Sequence, residues 1–230
     1  MVGGSRVRRS HGSARRALNF DDFGSGMAAD EARWLLCCDG GWPALEAVEK
    51  IARSAAFIVG VDGGADRAIE HGLTVNHICG DLDSIAQVIG DEIHLEDQSE
   101  SDLAKTLAWV ASEGATRVDL IGVEGGAPDH ALGAYAAVLS APAELDITMH
   151  LATQRVHRIM PAQPFSEPIE LETQFSIFAL AGPATVTLTG ARWTRSEEVL
   201  TLGTQGLHNV VEALPLTLES DAPLLLFIDH

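Results

Sequence analysis

Lysine is nearly missing from this chain, which holds only Lys50 and Lys105 in 230 residues. Aromatic residues make up 5%, with a single tyrosine, and there are three cysteines. No apolar run approaches the roughly eighteen residues of a membrane span, so the sequence reads as soluble, with no membrane partner. Cys37, Cys38 and Cys79 are odd in number, sit in apolar strand-like runs and lack metal-ligand spacing. They read as small core residues in a reducing cytoplasm, which excludes a disulfide framework and argues against redox or zinc chemistry.

Positive charge is also scarce and unevenly placed. Fifteen Lys and Arg stand against 33 Asp and Glu, and Arg6, Arg8, Arg9, Arg15 and Arg16 all fall in a Gly/Ser/Ala-rich opening stretch. That stretch has no apolar h-region, so it is not a secretory signal. It reads as a disordered basic extension over residues 1–28, with an Arg-rich targeting arm as the alternative. With those five arginines and the nearby Asp21 and Asp22 set aside, ten basic side chains face 31 acidic ones. Such a field argues against a nucleic-acid partner. It also repels an anionic nucleotide unless a metal ion and local backbone donors offset it.

What is abundant is the material of a core: 46% of residues are hydrophobic. Between residues 29 and 153 apolar strand-like runs (34–38, 57–61, 77–80, 92–95, 118–121, 145–151) alternate with helical patterns that start near Pro43, Ala65, Ser101 and Asp129. Ser101 is placed to cap its helix, whose apolar face is Leu103, Leu107, Val110 and Ala111. This alternation predicts an α/β domain with a parallel sheet covered on both faces. Pro161, Pro164 and Pro168 mark a linker, and residues 154–230 break into short strands at 169–171, 174–180, 184–189, 199–202, 207–211 and 223–228. That pattern predicts a C-terminal β-sandwich.

Four strand-like runs end in Gly and Asp before a helix begins. The turns are Asp39-Gly40-Gly41, Asp62-Gly63-Gly64, Gly80-Asp81-Leu82-Asp83-Ser84 and Gly122-Val123-Glu124-Gly125-Gly126-Ala127-Pro128-Asp129-His130. Strand C-termini are where open α/β sheets place ligands, and such turns bring backbone amides and helix N-termini close to phosphate. Asp81 and Asp83, two apart in a turn, can converge on a hard cation such as Mg2+. Read locally, Asp83, Ser84 and Asp129 serve equally well as helix caps, and Asp102 and Lys105 as an ordinary (i, i+3) ion pair.

The ordered set of Asp62-Gly63-Gly64-Ala65-Asp66-Arg67, Gly80-Asp81-Leu82-Asp83-Ser84, the segment from Gln98 to Lys105, and Gly125-Gly126-Ala127-Pro128-Asp129-His130 resembles the thiamine pyrophosphokinase family. The resemblance runs from about residue 33 to 230. It implies a homodimer that transfers the pyrophosphoryl group of ATP to thiamine. Asp81, Asp83 and Asp102 would hold Mg2+ and supply the base, while Asp62, Gly63, Arg67, Gln98, Lys105, Asp129 and His130 would bind the nucleotide. Trp193, His208 and Asn209 would meet thiamine. The chain departs from the family pattern at Ala127, where Arg is usual, at Ala134 and Asp66, where Asn is usual, and at His208, where Ser is usual. Losing that Arg removes a bidentate phosphate donor. A thiamine- or nucleotide-binding regulator without turnover, and a pyrophosphokinase for another alcohol, are the competing readings.

Overall fold

The computed structural model describes residues 7–9, 33–80, 91–95, 99–161 and 163–230. Of the basic extension, Val7–Arg9 (β1) pair antiparallel with Asp91–Leu95 (β5) at one edge of the large sheet. The α/β part contains Arg33–Cys37 (β2), Leu45–Ser54 (α1), Phe57–Val61 (β3), Gly64–Glu70 (α2), His77–Gly80 (β4), β5, Asp102–Ser112 (α3), Arg117–Ile121 (β6), Pro128–Ser140 (α4) and Asp146–His150 (β7). Strands lie in the order β5-β4-β3-β2-β6-β7, all parallel. The chain therefore winds outward from β2 in one direction through β5, then returns to the other side of β2 for β6 and β7. The gap beyond the C-terminal ends of β2 and β6 is the switch point of the sheet.

The residues explain the layers. Trp34, Leu35, Leu36 and Cys37 are all buried, the continuous apolar run required of a central strand covered on both faces. Leu35, Cys37 and Ile78 pack with Val48 and Ile51 of α1 and with Ala65 and Ala68 of α2. On the opposite face Trp34, Leu36, Val59 and Leu120 pack with Leu103, Leu107 and Val110 of α3 and with Val138 of α4. Ser101 caps α3 as predicted, its Oγ accepting from the Ala104 amide at 3.3 Å. Trp109 joins the same face, edge-on to Trp34 at 5.7 Å between ring centroids.

The β part begins with Gln154–Ile159 (β8), which the sequence pattern did not single out. β8 turns back antiparallel to β7, then pairs with Leu224–Asp229 (β15), which pairs with Gln174–Phe178 (β10), itself bordered by Asn209–Val210 (β13). One sheet of eleven strands thus runs through both halves of the chain. A second, antiparallel sheet of Arg195–Leu200 (β12), Ala184–Thr189 (β11), Leu216–Ser220 (β14) and Phe165–Glu167 (β9) closes the sandwich. Its Val186, Leu188 and Leu218 pack against Phe175, Ile177 and Leu226. Residues 169–171 are not a strand, whereas β9 and β14 are strands absent from the sequence reading. Among the described residues no helix is long and apolar enough to cross a membrane.

The expectation that helices cover both faces of the α/β sheet fails over β6, β7 and β8. One row of Cα partners there reads Leu35, Asp119, Thr148, His157, Leu226. It is apolar at both ends, under the helices on one side and the second sheet on the other, and polar in the middle. The result is a trough of about 600 Å³. Asp119, 2% exposed, takes hydrogen bonds from Arg33 (Nε to Oδ2 at 2.5 Å) and His150 (Nε2 to Oδ1 at 2.6 Å). Burial opposes its ionisation, but the bonds from His150 and Arg33 outweigh burial and hold its carboxyl below the usual range.

His157 is 8% exposed; burial, and then the neighbouring cations of Arg155 and His150, push its imidazole down to about 4, against the opposing pull of Asp119. In the unfolded chain the same ring titrates near 6.5. Above that pH both states are neutral at His157 and it contributes no pH dependence. Between about 6.5 and 4 the unfolded chain takes up a proton that the folded protein refuses. Stability therefore falls as the pH drops through this window, by at most about 1.4 kcal/mol per pH unit from this group. Urea unfolding of His157→Gln across the window is expected to give a flatter profile than the native chain, and superimposable profiles would refute this assignment.

Candidate active site

The cleft at the switch point is built from backbone. Past the end of β2 the Cys38 amide donates to Ile121 O (2.9 Å), the Gly40 amide to Gly122 O (2.7 Å) and the Gly41 amide to Glu124 O. The β2–β6 ladder thus continues into the loops and holds them side by side. Two glycines make that approach possible. A Cβ on Gly40 would collide with the carbonyls of Gly122 and Glu124, and one on Gly122, at φ +78°, with Cys38 O and the Trp42 indole. Trp42 Nε1 donates to the same Cys38 carbonyl at 2.9 Å.

Beyond this clamp the loop opens. Gly126, at φ +71°, has nothing within 4 Å of its would-be Cβ, and Gly125, at φ +81°, has only the Gly41 amide nitrogen, at 3.9 Å. Their left-handed backbone turns the chain into α4, which starts at Pro128, where a missing N–H costs nothing. The result is a cleft of about 550 Å³, walled by Asp39, Ser101, Glu124, Gly126, Asp129 and His130 among others. Asp129 and His130 are exposed in the first turn of α4, whose free amides and dipole favour an anion at this end.

The other predicted residues divide into three groups. Asp62, at φ +48°, donates its amide to Cys79 O at 2.8 Å, and a Cβ on Gly63 would lie 3.5 Å from the Asp39 carboxylate, so the β3 turn borders the cleft. Arg67 braces the neighbouring turn. Its Nη1 donates to Asp39 O at 2.8 Å and its guanidinium lies 5.5 Å from the Trp42 ring centroid, tying α2 to the β2 turn. Lys105 is likewise engaged, with Nζ 2.6 Å from Asp102 Oδ1 and 3.1 Å from Leu95 O. Asp102, about one-third exposed, is the part of that pair that faces outward. Asp81, Asp83 and Gln98 lie outside the described residues. Among the described residues no three His, Cys, Asp or Glu side chains gather as metal ligands.

Trp193, His208 and Asn209 sit in the β part, and none of them walls the cleft. Buried Asn209 holds the Trp193 backbone from both sides, Nδ2 donating to Trp193 O at 2.8 Å and Oδ1 accepting from Trp193 N at 3.1 Å. Trp193 itself is 57% exposed, so it is presented to solvent and not spent in the core. His208 adopts φ +57° and lines a separate hollow of about 280 Å³ with Gln174 and Phe227. Asp39, Ser101 and Glu124 wall the cleft but were not among the predicted ligand-binding residues. The first Gly/Asp turn signalled Asp39, but the Glu124 carboxylate's bond to the Ala152 amide (2.7 Å) depends on a contact between distant segments. The cysteines are inert, since burial pushes all three thiols up, Cys38 to about 12.

A parallel α/β domain with a glycine-lined cleft at its switch point, at the N-terminus of α4, defines a protein of the doubly wound α/β class. Residues 48–150, most of the α/β domain, match the family described as thiamin pyrophosphokinase, catalytic domain. No curated protein matches the chain by sequence. Solved structures share the whole architecture. Thiamine pyrophosphokinase from Bacillus subtilis superimposes with a TM-score of 0.70 at 19% identity, covering 86% of this chain and 98% of its own. The enzyme from Geobacillus thermodenitrificans gives 0.71 at 19%, with 86% and 96% covered. That from Candida albicans gives 0.71 at 12%, with 86% and 88% covered. At these identities the likeness is one of fold.

The two kinds of glycine in the cleft have different expected costs. Gly122→Ala forces both a left-handed alanine and a backbone collision and should lower stability by about 3 kcal/mol or more, whereas Gly126→Ala meets only the conformational penalty, roughly 1 kcal/mol. Urea midpoints of the two variants measure the difference, and equal losses would show that the clamp is not tight.

Proposed function

We propose that this protein is a thiamine pyrophosphokinase, transferring the pyrophosphoryl group of ATP to thiamine to give thiamine diphosphate and AMP. The observation that carries the reading is the cleft at the switch point, formed by a domain that matches this family and lined by glycines and carboxylates. In this reaction the hydroxyl oxygen of thiamine attacks the β-phosphorus, the bond from that phosphorus to the oxygen shared with the α-phosphate breaks, and AMP leaves. The hydroxyl proton passes to a carboxylate, for which Asp81 is the candidate.

The donor set suits Mg2+, because Asp81, Asp83 and Asp102 offer hard carboxylate oxygens, and these three would hold it. Bound there, Mg2+ would neutralise charge on the phosphate oxygens. Everything else falls to the chain. Gly63, Gly125 and Gly126 let the backbone approach the phosphates, and the start of α4 with Asp129 and His130 faces them. Arg67 and Lys105 act as positioning residues, the first fixing the Asp39 turn and the second orienting Asp102. Asp62 and Gln98 complete the polar wall. Trp193, held out by Asn209, offers a π face to the cationic vitamin, and His208 is the candidate for a further contact with it. We assign the protein to the cytoplasm, acting as a homodimer.

The decisive assay follows AMP and thiamine diphosphate from Mg2+-ATP and thiamine. Equal amounts of both are expected, with a loss of about 100-fold or more in Asp81→Ala and in Asp102→Ala. A folded protein that binds Mg2+-ATP and forms neither product would end the thiamine reading in favour of a regulator or another acceptor.

Ala127, exposed at the cap of α4, leaves the phosphates to backbone donors where a guanidinium would add charge. Ala127→Arg should therefore lower KM for ATP by about 10-fold, the worth of one charge-assisted hydrogen bond. An unchanged KM would show that position 127 does not face the nucleotide.

A further inference from the structure

The polar trough on the open face of β6, β7 and β8 shares no residue with the cleft. Outside the N-terminal extension the chain has ten basic side chains, and four of them, Arg33, Arg117, Arg155 and Arg158, converge on this trough. In a chain of net charge −18 that concentration is a local reversal of sign.

The four are not equivalent. Arg33 is matched by Asp119, and Arg117 lies 3.5 Å from Asp146. Arg158 is spent on backbone, its guanidinium donating to the carbonyls of Val138, Ala141, Pro142 and Leu145 at the end of α4. Arg155 is half-buried, and its guanidinium makes no hydrogen bond or ion pair among the described residues. Next to it His157, more than nine-tenths buried, has no partner at Nε2, while its Nδ1 lies 3.2 Å from Thr148 Oγ1. With Thr148 donating to Nδ1, the neutral ring carries its hydrogen on Nε2. A buried donor without an acceptor is destabilising, a cost that an incoming acceptor removes.

We infer that the trough is a second ligand site, for the phosphate group of a small molecule, free or esterified, held by the Arg155 guanidinium and the His157 Nε2 hydrogen. Its volume of about 600 Å³ exceeds that of a bare phosphate and leaves room for an organic portion. Asp146 and Glu167, the other acids of the wall, stand at its margin and select against ligands with several extended negative charges.

The test is calorimetric titration of the full chain with inorganic phosphate and, separately, with glycerol phosphate, at constant ionic strength in chloride. The His157 ring resonance, assigned by its loss in His157→Gln, is followed in parallel. Saturable binding that shifts this resonance, weakens about 10-fold or more in Arg155→Gln and survives in His130→Ala is expected. Tighter binding of glycerol phosphate would identify an ester as the ligand, and equal binding would identify free phosphate. No saturable binding would overturn the site, and binding that His130→Ala weakens and Arg155→Gln leaves intact would overturn it by returning the phosphate to the cleft. A native dimer that Arg155→Gln converts to monomer would also overturn it, showing the trough to be covered by a second copy of the chain.

Discussion

The pairing of β2 with β6 carries the rest of this molecule. Where those strands end, the ladder runs on through the amides of Cys38, Gly40 and Gly41 to the carbonyls of Ile121, Gly122 and Glu124. Because the chain reverses its winding direction between these two strands, their loops diverge into helices on opposite faces, and the cleft is the space left between them. Glycine at 40 and 122 is what allows the backbones to touch. Arg67 and Trp42 then brace the β2 turn, the first through Asp39 O and the second through Cys38 O.

Charge is distributed with similar economy. On the proposed function an acidic protein must attract polyphosphates locally against its own field, and the cleft offers backbone amides and the start of α4 for this, with alanine and not arginine at position 127. The basic residues instead hold structure together. Arg158 satisfies four carbonyls where α4 ends, and Arg33 neutralises buried Asp119. Such buried partnerships are costly to break from one side, since the remaining charge or carbonyl is left unmatched.

Much of this was legible in the residues. The run Trp34 to Cys37 could be read as a central strand because every side chain is apolar, and Ser101 as a cap because it stands one residue before an amphipathic pattern. The four Gly/Asp turns placed the cleft at strand ends, and their order pointed to the family. β8 was illegible because Gln154-Arg155-Val156-His157-Arg158 carries the polar side chains of a strand with one open face, and β14 because Pro215 and its neighbours look like a turn. The engagement of Arg67 and Lys105 was also hidden, since Asp39 and Leu95 meet them only in the folded chain. Alternation along a strand reports burial, but it cannot report which distant carbonyl a long cationic side chain will find.

The sheet that passes without interruption from the α/β part into the sandwich has a mechanical consequence. β7, β8 and β15 are joined by ladders of backbone hydrogen bonds, so the two halves have no flexible joint about which to swing. An enzyme of this build cannot close over its substrates by domain rotation, as many kinases do. Shielding of the reacting groups from water must come from the short segments at the rim or from a neighbouring subunit, and the orientation of Trp193 relative to the cleft is fixed once the chain has folded.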